Sequence, residues 1–99
     1  IDAKIKEYSN AGFKMTGNEI YVRRMQIDVA LFKLDHFLNA SFMKGDREFR
    51  IVHGKGTGKL RQAIHDYLSK HPLVKSYRLG GYGEGDYGVT VVRLAESWE

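Results

Sequence analysis

The sequence predicts an α/β fold, a mixed four-stranded sheet with two helices, in the order β-α-β-α-β-β. Three observations predict it. Four short β-prone runs are interrupted by two stretches of helical periodicity. The 99 residues, 42% of them hydrophobic, suffice for one core and one domain. The two β-α-β steps require crossovers between parallel strands.

The first half of the chain holds a strand and a long helix. Residues 19–23 form a short β-prone run. Five apolar residues then recur at steps of four, three, four and four, as on one helix face. They are Ile27, Leu31, Leu34, Leu38 and Phe42. The helix is predicted from Gln26 to Gly45, because glycine suits the left-handed conformation that often ends a helix.

A second strand leads into a glycine-rich loop and a second helix. The strand is predicted over residues 49–52, and the loop HGKGTG follows at residues 53–58. Helical spacing predicts the helix over residues 57–70, before Pro72, which disfavours helix at the residue that precedes it.

The last elements are two strands around a second glycine-rich loop. Residues 74–79 and 89–94 are β-prone, and GGYGEGDYG separates them. The domain is predicted over residues 18–94. Residues 1–17 are interpreted as a linker or flexible arm, and residues 95–99 as a C-terminal tail.

Composition and charge exclude several classes of protein. The absence of Cys excludes disulfide frameworks, thiolate zinc sites and cysteine nucleophiles, and favours a cytoplasmic location. No apolar run approaches the ~18 residues that cross a bilayer, so no membrane partner is expected. The formal net charge of +4 is unevenly distributed. Residues 44–61 hold six Lys and Arg against two Asp and Glu, whereas residues 80–99 hold one against four.

The strand–HGKGTG–helix segment indicates an anion site. Its three glycines allow backbone amides to turn toward an anion, and the helix N-terminus adds partial positive charge. The loop matches neither the P-loop nor the dinucleotide-binding fingerprint, because Gly54, Gly56 and Gly58 have a different spacing. It carries His53, Lys55, Lys59 and Arg61, which suit a phosphodiester. The alternative is that His53 caps the strand and the cations are ordinary surface residues.

Three blocks together resemble a known family. IVHGKGTGKLRQAI (51–64), HPLVKSYRL (71–79) and GEGDYGVTVVRL (83–94) resemble the small MutS-related (Smr) domain, in the version found at the C-terminus of the second bacterial MutS paralogue. The resemblance covers about residues 18–94. It implies a two-layer α/β sandwich, nucleic-acid binding and, in several members, endonuclease activity on DNA or RNA.

The resemblance also implies partners, and together with the charges and aromatic rings of the chain it points to site residues. The expected partners are DNA or RNA, in some members on the ribosome, and the N-terminal MutS-like ATPase region of a longer parent chain. No cofactor is evident in the domain, no metal ligands are assigned, and the dependence on a divalent metal is left open. Catalytic roles are assigned to His53, Lys55 and Arg23. Nucleic-acid contacts are assigned to Arg24, Gly54, Gly56, Thr57, Gly58, Lys59, Arg61, Arg78, Tyr82 and Glu84.

One departure from the family pattern affects the chemistry. The family's LDLRG strand corresponds to EIYVRR here, which places Tyr21 where the family has a functional Asp and Arg24 where it has a glycine. A tyrosine, with an ordinary pKa of about 10, is no carboxylate base. Endonuclease activity therefore has an alternative, a non-catalytic DNA- or rRNA-binding module. A third hypothesis is a protein-interaction domain whose anion site is incidental.

Several other residues have two interpretations. Glu84 and Asp86 either replace the lost carboxylate or are solvated. Tyr82 and Tyr87 either stack on unpaired bases or pack the loop. The remaining histidines are interpreted as surface, packing or capping residues: His36, His65 and His71. The basic residues before and after the loop are expected to attract nucleic acid toward it: Lys44, Arg47, Arg50 and Arg78.

Overall fold

The computed structural model describes residues 18–96, and the predicted order of elements is confirmed there. The strands are β1 (Glu19–Tyr21), β2 (Glu48–Val52), β3 (Val74–Leu79) and β4 (Val89–Leu94), and the helices are α1 (Ile27–Lys44) and α2 (Lys59–Ser69). A short 3₁₀ turn, Asp86–Gly88, precedes β4. The predicted arm over residues 1–17 and the end of the predicted tail lie outside the described residues.

The sheet is mixed, with the strand order β1-β2-β4-β3. β1 and β2 are parallel, whereas β4 is antiparallel to both of its neighbours. The register places Tyr21 beside Val52, Val52 beside Val89, and Thr90 beside Leu79. The residues after β1 and β2 and the loop between β3 and β4 therefore meet at one end of the sheet.

Two predicted boundaries shift by two residues, because the chain turns earlier or later than its propensities indicate. The first strand stops at Tyr21 rather than residue 23, because the chain turns at Arg23 and Arg24 and the Met25 N–H bonds the Val22 carbonyl at 3.2 Å. The second helix begins at Lys59 rather than residue 57, because Gly58 has a left-handed φ of 89°.

The long helix ends as predicted, but its buried face is rotated. Gly45 has a φ of 86° and its N–H bonds the Phe42 carbonyl. The fully buried residues of α1 are Ala30, Leu34, Leu38 and Ser41. Ile27, predicted to be part of the core face, is exposed at the first turn of α1.

The core lies between the sheet and the two helices. Burying apolar side chains there is the main favourable term in folding. Its fully buried members from the sheet and α2 include Phe49, Ile51, Ile64 and Val92.

A polar contact joins the helices, because the Tyr67 hydroxyl donates to Asp35 Oδ1 at 2.5 Å. No described helix has the length and hydropathy that a membrane span requires.

Candidate functional site

Two glycine-rich loops are tied together at one end of the sheet. The Gly88 carbonyl, just before β4, accepts hydrogen bonds from the N–H groups of His53 and Gly54, at 3.0 and 2.9 Å. Gly88 is buried, and a Cβ there would lie 3.6 Å from Gly54 Cα. The loop after β2, residues 53–58, is therefore anchored on the sheet.

A cleft of about 400 Å³ separates this loop from the turn after β1. The charged side chains that line it are Arg23, Arg24, Lys55 and Arg61, together with the ring of His53. None of the described lining residues carries a carboxylate. Charges of one sign that face a common cleft raise the local concentration of an oppositely charged ligand. The remaining lining residues are Met25, Gly54, Gly56, Thr57, Gly58 and Leu60.

Two glycines of the loop let arginine side chains approach its backbone. A Cβ on Gly54, whose φ is 83°, would lie 3.2 Å from Arg23 Nε. A Cβ on Gly58 would lie 2.9 Å from Arg61 Nη2. Residues with a side chain would be strained at both positions. The glycines thus place two guanidinium groups against the loop.

The left-handed turn after β1 is kept although its glycine is replaced. Arg24 occupies the position that the resemblance assigns to glycine, and its φ is 64°. This conformation is uncommon for a residue with a Cβ. The turn nevertheless brings Arg23 and Arg24 to the cleft, so the replacement adds a cation to the site.

The ring of His53 is only 4% exposed, and both of its nitrogens have partners. Nδ1 lies 2.9 Å from the Gly54 carbonyl oxygen and Nε2 lies 2.8 Å from Thr90 Oγ1. Burial lowers the pKa of His53; the hydrogen bond to the Gly54 carbonyl opposes this shift, and the charge of Arg61 adds to it. The bond to the backbone is the capping arrangement that the sequence left as an alternative.

Sequence analysis missed the partner of His53. Thr90, in β4, is fully buried, and its Oγ1 also lies 2.7 Å from Nε2 of His65, in α2. His65 is half-buried, and burial lowers its pKa as well. Thr90 and His65 are 25 residues apart in sequence, so no local spacing indicates the contact.

Glu84 and Arg78, predicted as nucleic-acid contacts, form an ion pair. The Arg78 guanidinium donates to both oxygens of Glu84, at 2.8 and 3.1 Å, and the Gly81 N–H donates to Oε1. Arg50 Nη2 lies 4.0 Å from Oε2. The Arg78 and Gly81 hydrogen bonds lower the pKa of Glu84 to about 2. An ionised, doubly bound carboxylate is poorly suited to act as a general base.

The loop between β3 and β4 exposes two aromatic rings. Tyr82 is fully exposed and Tyr87 is 62% exposed. The Tyr82 ring therefore does not pack the loop, which was one of its two interpretations. Asp86 is exposed and has a left-handed φ of 53°.

Tyr21 and Lys59 lie outside the cleft lining. The Tyr21 hydroxyl donates to Glu19 Oε1 at 3.2 Å. The Tyr21 side chain borders a separate shallow apolar groove that is also lined by Phe32 of α1. Lys59 is exposed at the first position of α2.

The basic residues before β2 do not surround the loop, contrary to the prediction. Lys44 and Arg47 precede β2, whereas the loop follows it, so they lie at the opposite end of that strand. Their side chains pair with Asp46 and Glu96, at 3.4 and 3.3 Å. The positive charge at the cleft comes instead from the turn after β1, from Lys55 in the loop itself and from Arg61 in α2.

The other histidines take the structural positions expected of them. His36 is exposed on α1 and contacts the Phe32 ring edge-on. Nδ1 of His71 accepts a hydrogen bond from the Leu73 N–H and caps the turn after α2. Within residues 18–96, no three side chains of the His, Asp or Glu type converge as metal ligands.

Comparisons with known proteins find one family. The sequence model described as "Smr domain" matches residues 20–95. An Endonuclease MutS2 from Clostridium novyi is 47% identical over 89 residues, which are 90% of this chain and 11% of that protein. The Endonuclease MutS2 from Caldicellulosiruptor saccharolyticus is 51% identical over 77 residues, 78% of this chain and 10% of that protein. The chain thus spans about a tenth of these relatives.

Solved structures agree with these sequence matches. The Smr domain of Thermus thermophilus MutS2 superposes with a TM-score of 0.77 at 40% identity, covering 79% of this chain and 98% of that one. YdaL, a stand-alone small MutS-related protein from Escherichia coli, has a TM-score of 0.75 at 19% identity and covers 95% of this chain and 76% of that chain. The second match supports the fold alone.

Proposed function

The chain belongs to the Smr domain family, and on that premise we propose that it binds the phosphate backbone of nucleic acid in the cleft between the Arg23–Arg24 turn and residues 53–58. The observation that carries the proposal is the positive charge of the side chains that line the cleft. Its charged side chains are cations from three separate segments, and no described lining residue is acidic. Cationic side chains and backbone amides are the groups that hold phosphates.

The glycine loop supplies binding groups of a second kind. Gly54, Gly56 and Gly58 have positive φ values, a geometry that can turn successive N–H groups toward one ligand. Thr57 adds a hydroxyl at the cleft, and Lys59 adds a charge at the start of α2. Backbone contacts of this kind do not depend on base sequence. We therefore expect binding with little sequence preference.

Charge reversal tests the binding site. Lys55→Glu, in the cleft, is expected to weaken binding of fluorescent RNA and DNA oligonucleotides. The slope of log affinity against log salt concentration is expected to fall by about one, which corresponds to the loss of one phosphate contact. Lys70→Glu is the matched control, because Lys70 lies at the far end of α2 and carries the same charge. Equal losses in the two variants would mean that only net charge matters and would contradict a site in the cleft.

The finer context of the domain is also a proposal. The relatives named Endonuclease MutS2 are about ten times as long as the matched region. We propose that this domain holds nucleic acid for a MutS-like ATPase parent, in the cytoplasm, with ribosomal RNA as one candidate target. Comparing the affinity for ribosomal RNA, single-stranded DNA and duplex DNA at one salt concentration would discriminate among these targets.

Cleavage of RNA is the second candidate function. The relatives' name, Endonuclease MutS2, favours cleavage, whereas the choice of RNA rests on substrate chemistry. Lys55 and Arg23 line the cleft, and cations there would stabilise negative charge that develops on a phosphodiester. RNA brings its 2′-hydroxyl as a nucleophile, whereas hydrolysis of DNA has to activate water, here with Tyr21 in the position of the family Asp. Both ring nitrogens of His53 are occupied, so proton exchange with substrate requires its bond to the Gly54 carbonyl to open.

Cleavage assays with both nucleic acids test this second function. The 99-residue chain is incubated with labelled RNA and plasmid DNA, with and without EDTA. RNA cleavage that survives EDTA and is lost in His53→Ala at saturating RNA is expected, together with weak or absent DNA nicking. Robust Mg²⁺-dependent nicking of plasmid DNA would contradict this mechanism. Retained binding without any cleavage would leave the binding module as the function.

A further inference from the structure

A single buried hydroxyl joins two histidines beneath the glycine loop. Thr90 Oγ1 lies 2.8 Å from His53 Nε2 and 2.7 Å from His65 Nε2. Thr90 is fully buried, so water does not replace either bond. The three side chains come from β4, from the end of β2 and from α2, and they meet only in the folded domain.

Counting the available hydrogens shows that the hydrogen bonds linking His53, Thr90 and His65 have only one possible arrangement of donors and acceptors. The Gly54 carbonyl can only accept, so His53 Nδ1 carries a hydrogen. In a neutral ring Nε2 is then an acceptor, and Thr90 donates its only hydroxyl hydrogen to it. Thr90 has none left for His65, so Nε2 of His65 must donate to Thr90.

The hydrogen bond from His53 to the Gly54 carbonyl also determines the direction of the Lys55 N–H. The Gly54 carbonyl and the Lys55 N–H belong to one peptide unit, and no described peptide bond is cis. In a trans peptide these two groups point in opposite directions. Because the carbonyl is held by the His53 ring, the Lys55 N–H is directed away from that buried ring.

We propose that Thr90 and His65 are positioning residues of the phosphate-binding loop, which lock the His53 tautomer and thereby direct the Lys55 N–H toward the bound anion. This inference rests on the proposed function, since it assigns the loop a phosphate ligand. It extends the site to two residues that do not line the cleft. Because neither residue lines the cleft, both would act on the loop and not on the ligand.

Burial and the neighbouring positive charges favour the neutral rings that the count requires, and for His53 they outweigh the Gly54 carbonyl, which favours the charged ring. Arg61, on α2, contributes unfavourable charge to an imidazolium at either His53 or His65. The two imidazole centroids lie 6.2 Å apart, so a proton on one ring disfavours a proton on the other. From β3, the Tyr77 ring packs on His65 with a centroid distance of 5.0 Å.

Histidine tautomers in the ¹⁵N-labelled 99-residue chain test the proposal directly. Two-bond ¹H–¹⁵N correlation spectra near neutral pH are expected to show hydrogen on Nδ1 of His53 and on Nε2 of His65. Thr90→Val removes the hydroxyl with little change of shape. It is expected to abolish the single His53 tautomer, shift the Lys55 amide resonance and lower RNA affinity about tenfold. Thr90→Ser keeps the hydroxyl and is expected to retain the wild-type tautomer, amide shift and affinity.

Two results would overturn the proposal. One is a wild-type His53 with its hydrogen on Nε2, and the other is a Thr90→Val variant with unchanged His53 tautomer and Lys55 amide. Should Thr90→Val fail to fold, His65→Phe keeps a ring against Tyr77 and removes the donor, and a smaller Lys55 shift is then expected. If the wild type bound no nucleic acid, the proposed function would fail, while the tautomers and the amide shifts would still decide the positioning role.

Discussion

The amide nitrogen of His53 lies 3.0 Å from the carbonyl oxygen of Gly88, and this bond joins the two glycine-rich loops. The two loops meet at the end of β2 and the start of β4, which are adjacent antiparallel strands. The backbone hydrogen bonds between β2 and β4 fix the positions of both partners of this bond. The cleft therefore has one wall anchored on the sheet and the other on the short turn after β1.

Arg24→Gly is expected to move stability and binding in opposite directions. The left-handed φ of 64° costs a residue with a side chain about 1 kcal/mol, which glycine avoids. Glycine also loses more chain entropy on folding, so the free energy of unfolding is expected to rise by only a few tenths of a kcal/mol. RNA affinity is expected to fall because the cleft loses a cation. Urea unfolding and oligonucleotide titration measure the two effects.

Arg24→Val is the matched variant for the same position. A β-branched residue is strained at this φ, so the variant is expected to unfold about 1 kcal/mol more easily than the wild type. It removes the same charge as the glycine variant. Equal stability of the Gly and Val variants would show that the left-handed backbone conformation at position 24 is not strained.

The pKa directions of His53 and His65 predict that stability falls on mild acidification. Burial lowers both pKa values below the ordinary 6.5, so the unfolded chain takes up protons first as the pH falls. Stability from these rings is complete above pH 6.5 and is lost as the pH falls toward their folded values. Urea unfolding between about pH 7.5 and 5.5 measures the change. His65→Phe removes one titrating group, and its pH dependence is expected to be shallower; a steeper one would refute the assignment.

Glu84→Gln tests a second change of stability with pH, which occurs at more acidic pH than that of the histidines. The folded pKa of Glu84 is lowered from 4.5 to about 2, so its stabilising contribution is present above pH 4.5 and is lost as the pH falls toward 2. The stability difference between wild type and Glu84→Gln is therefore expected to shrink across this window. Its size is reduced by solvent screening, since Arg78 is exposed. A difference that stays constant with pH would show that the charge of Glu84 is not what stabilises the loop.

Tyr82→Ala is expected to weaken binding of single-stranded RNA several-fold while leaving stability unchanged. The ring is fully exposed and contributes no core packing, whereas stacking on an exposed aromatic ring is worth about 1–3 kcal/mol per base. Duplex DNA, with its bases stacked on one another, is expected to bind the variant and the wild type equally. An equal loss with duplex DNA would point to a backbone contact instead of stacking.

The elements of the fold were predictable because each depends on local pattern. The 3.6-residue spacing of apolar residues located both helices, and β-prone runs located β3 and β4 with their observed bounds. Glycine at position 45 marked the end of α1 because a left-handed residue closes a helix. The first strand was predicted too long, because Arg23 and Arg24 have ordinary strand or helix propensities and only the turn reveals the left-handed conformation.

The candidate site was predictable where its residues are contiguous. The segment at residues 53–61 carries three glycines and the basic side chains within nine positions, so spacing alone indicated an anion site. The roles of Glu84 and Arg78 were less accessible. Each looked like a separate contact for nucleic acid, but the hairpin brings them together as an ion pair.

The sequence by itself determined the order of elements, the family and the position of the glycine-rich loop at residues 53–58, because these depend on neighbours along the chain. Only the tertiary structure decided that Arg23 lies against Gly54, that Lys44 and Arg47 lie away from the loop, and that Thr90 bridges two histidines. The physical reason is that such contacts depend on strand order and register, which place residues tens of positions apart within hydrogen-bond distance.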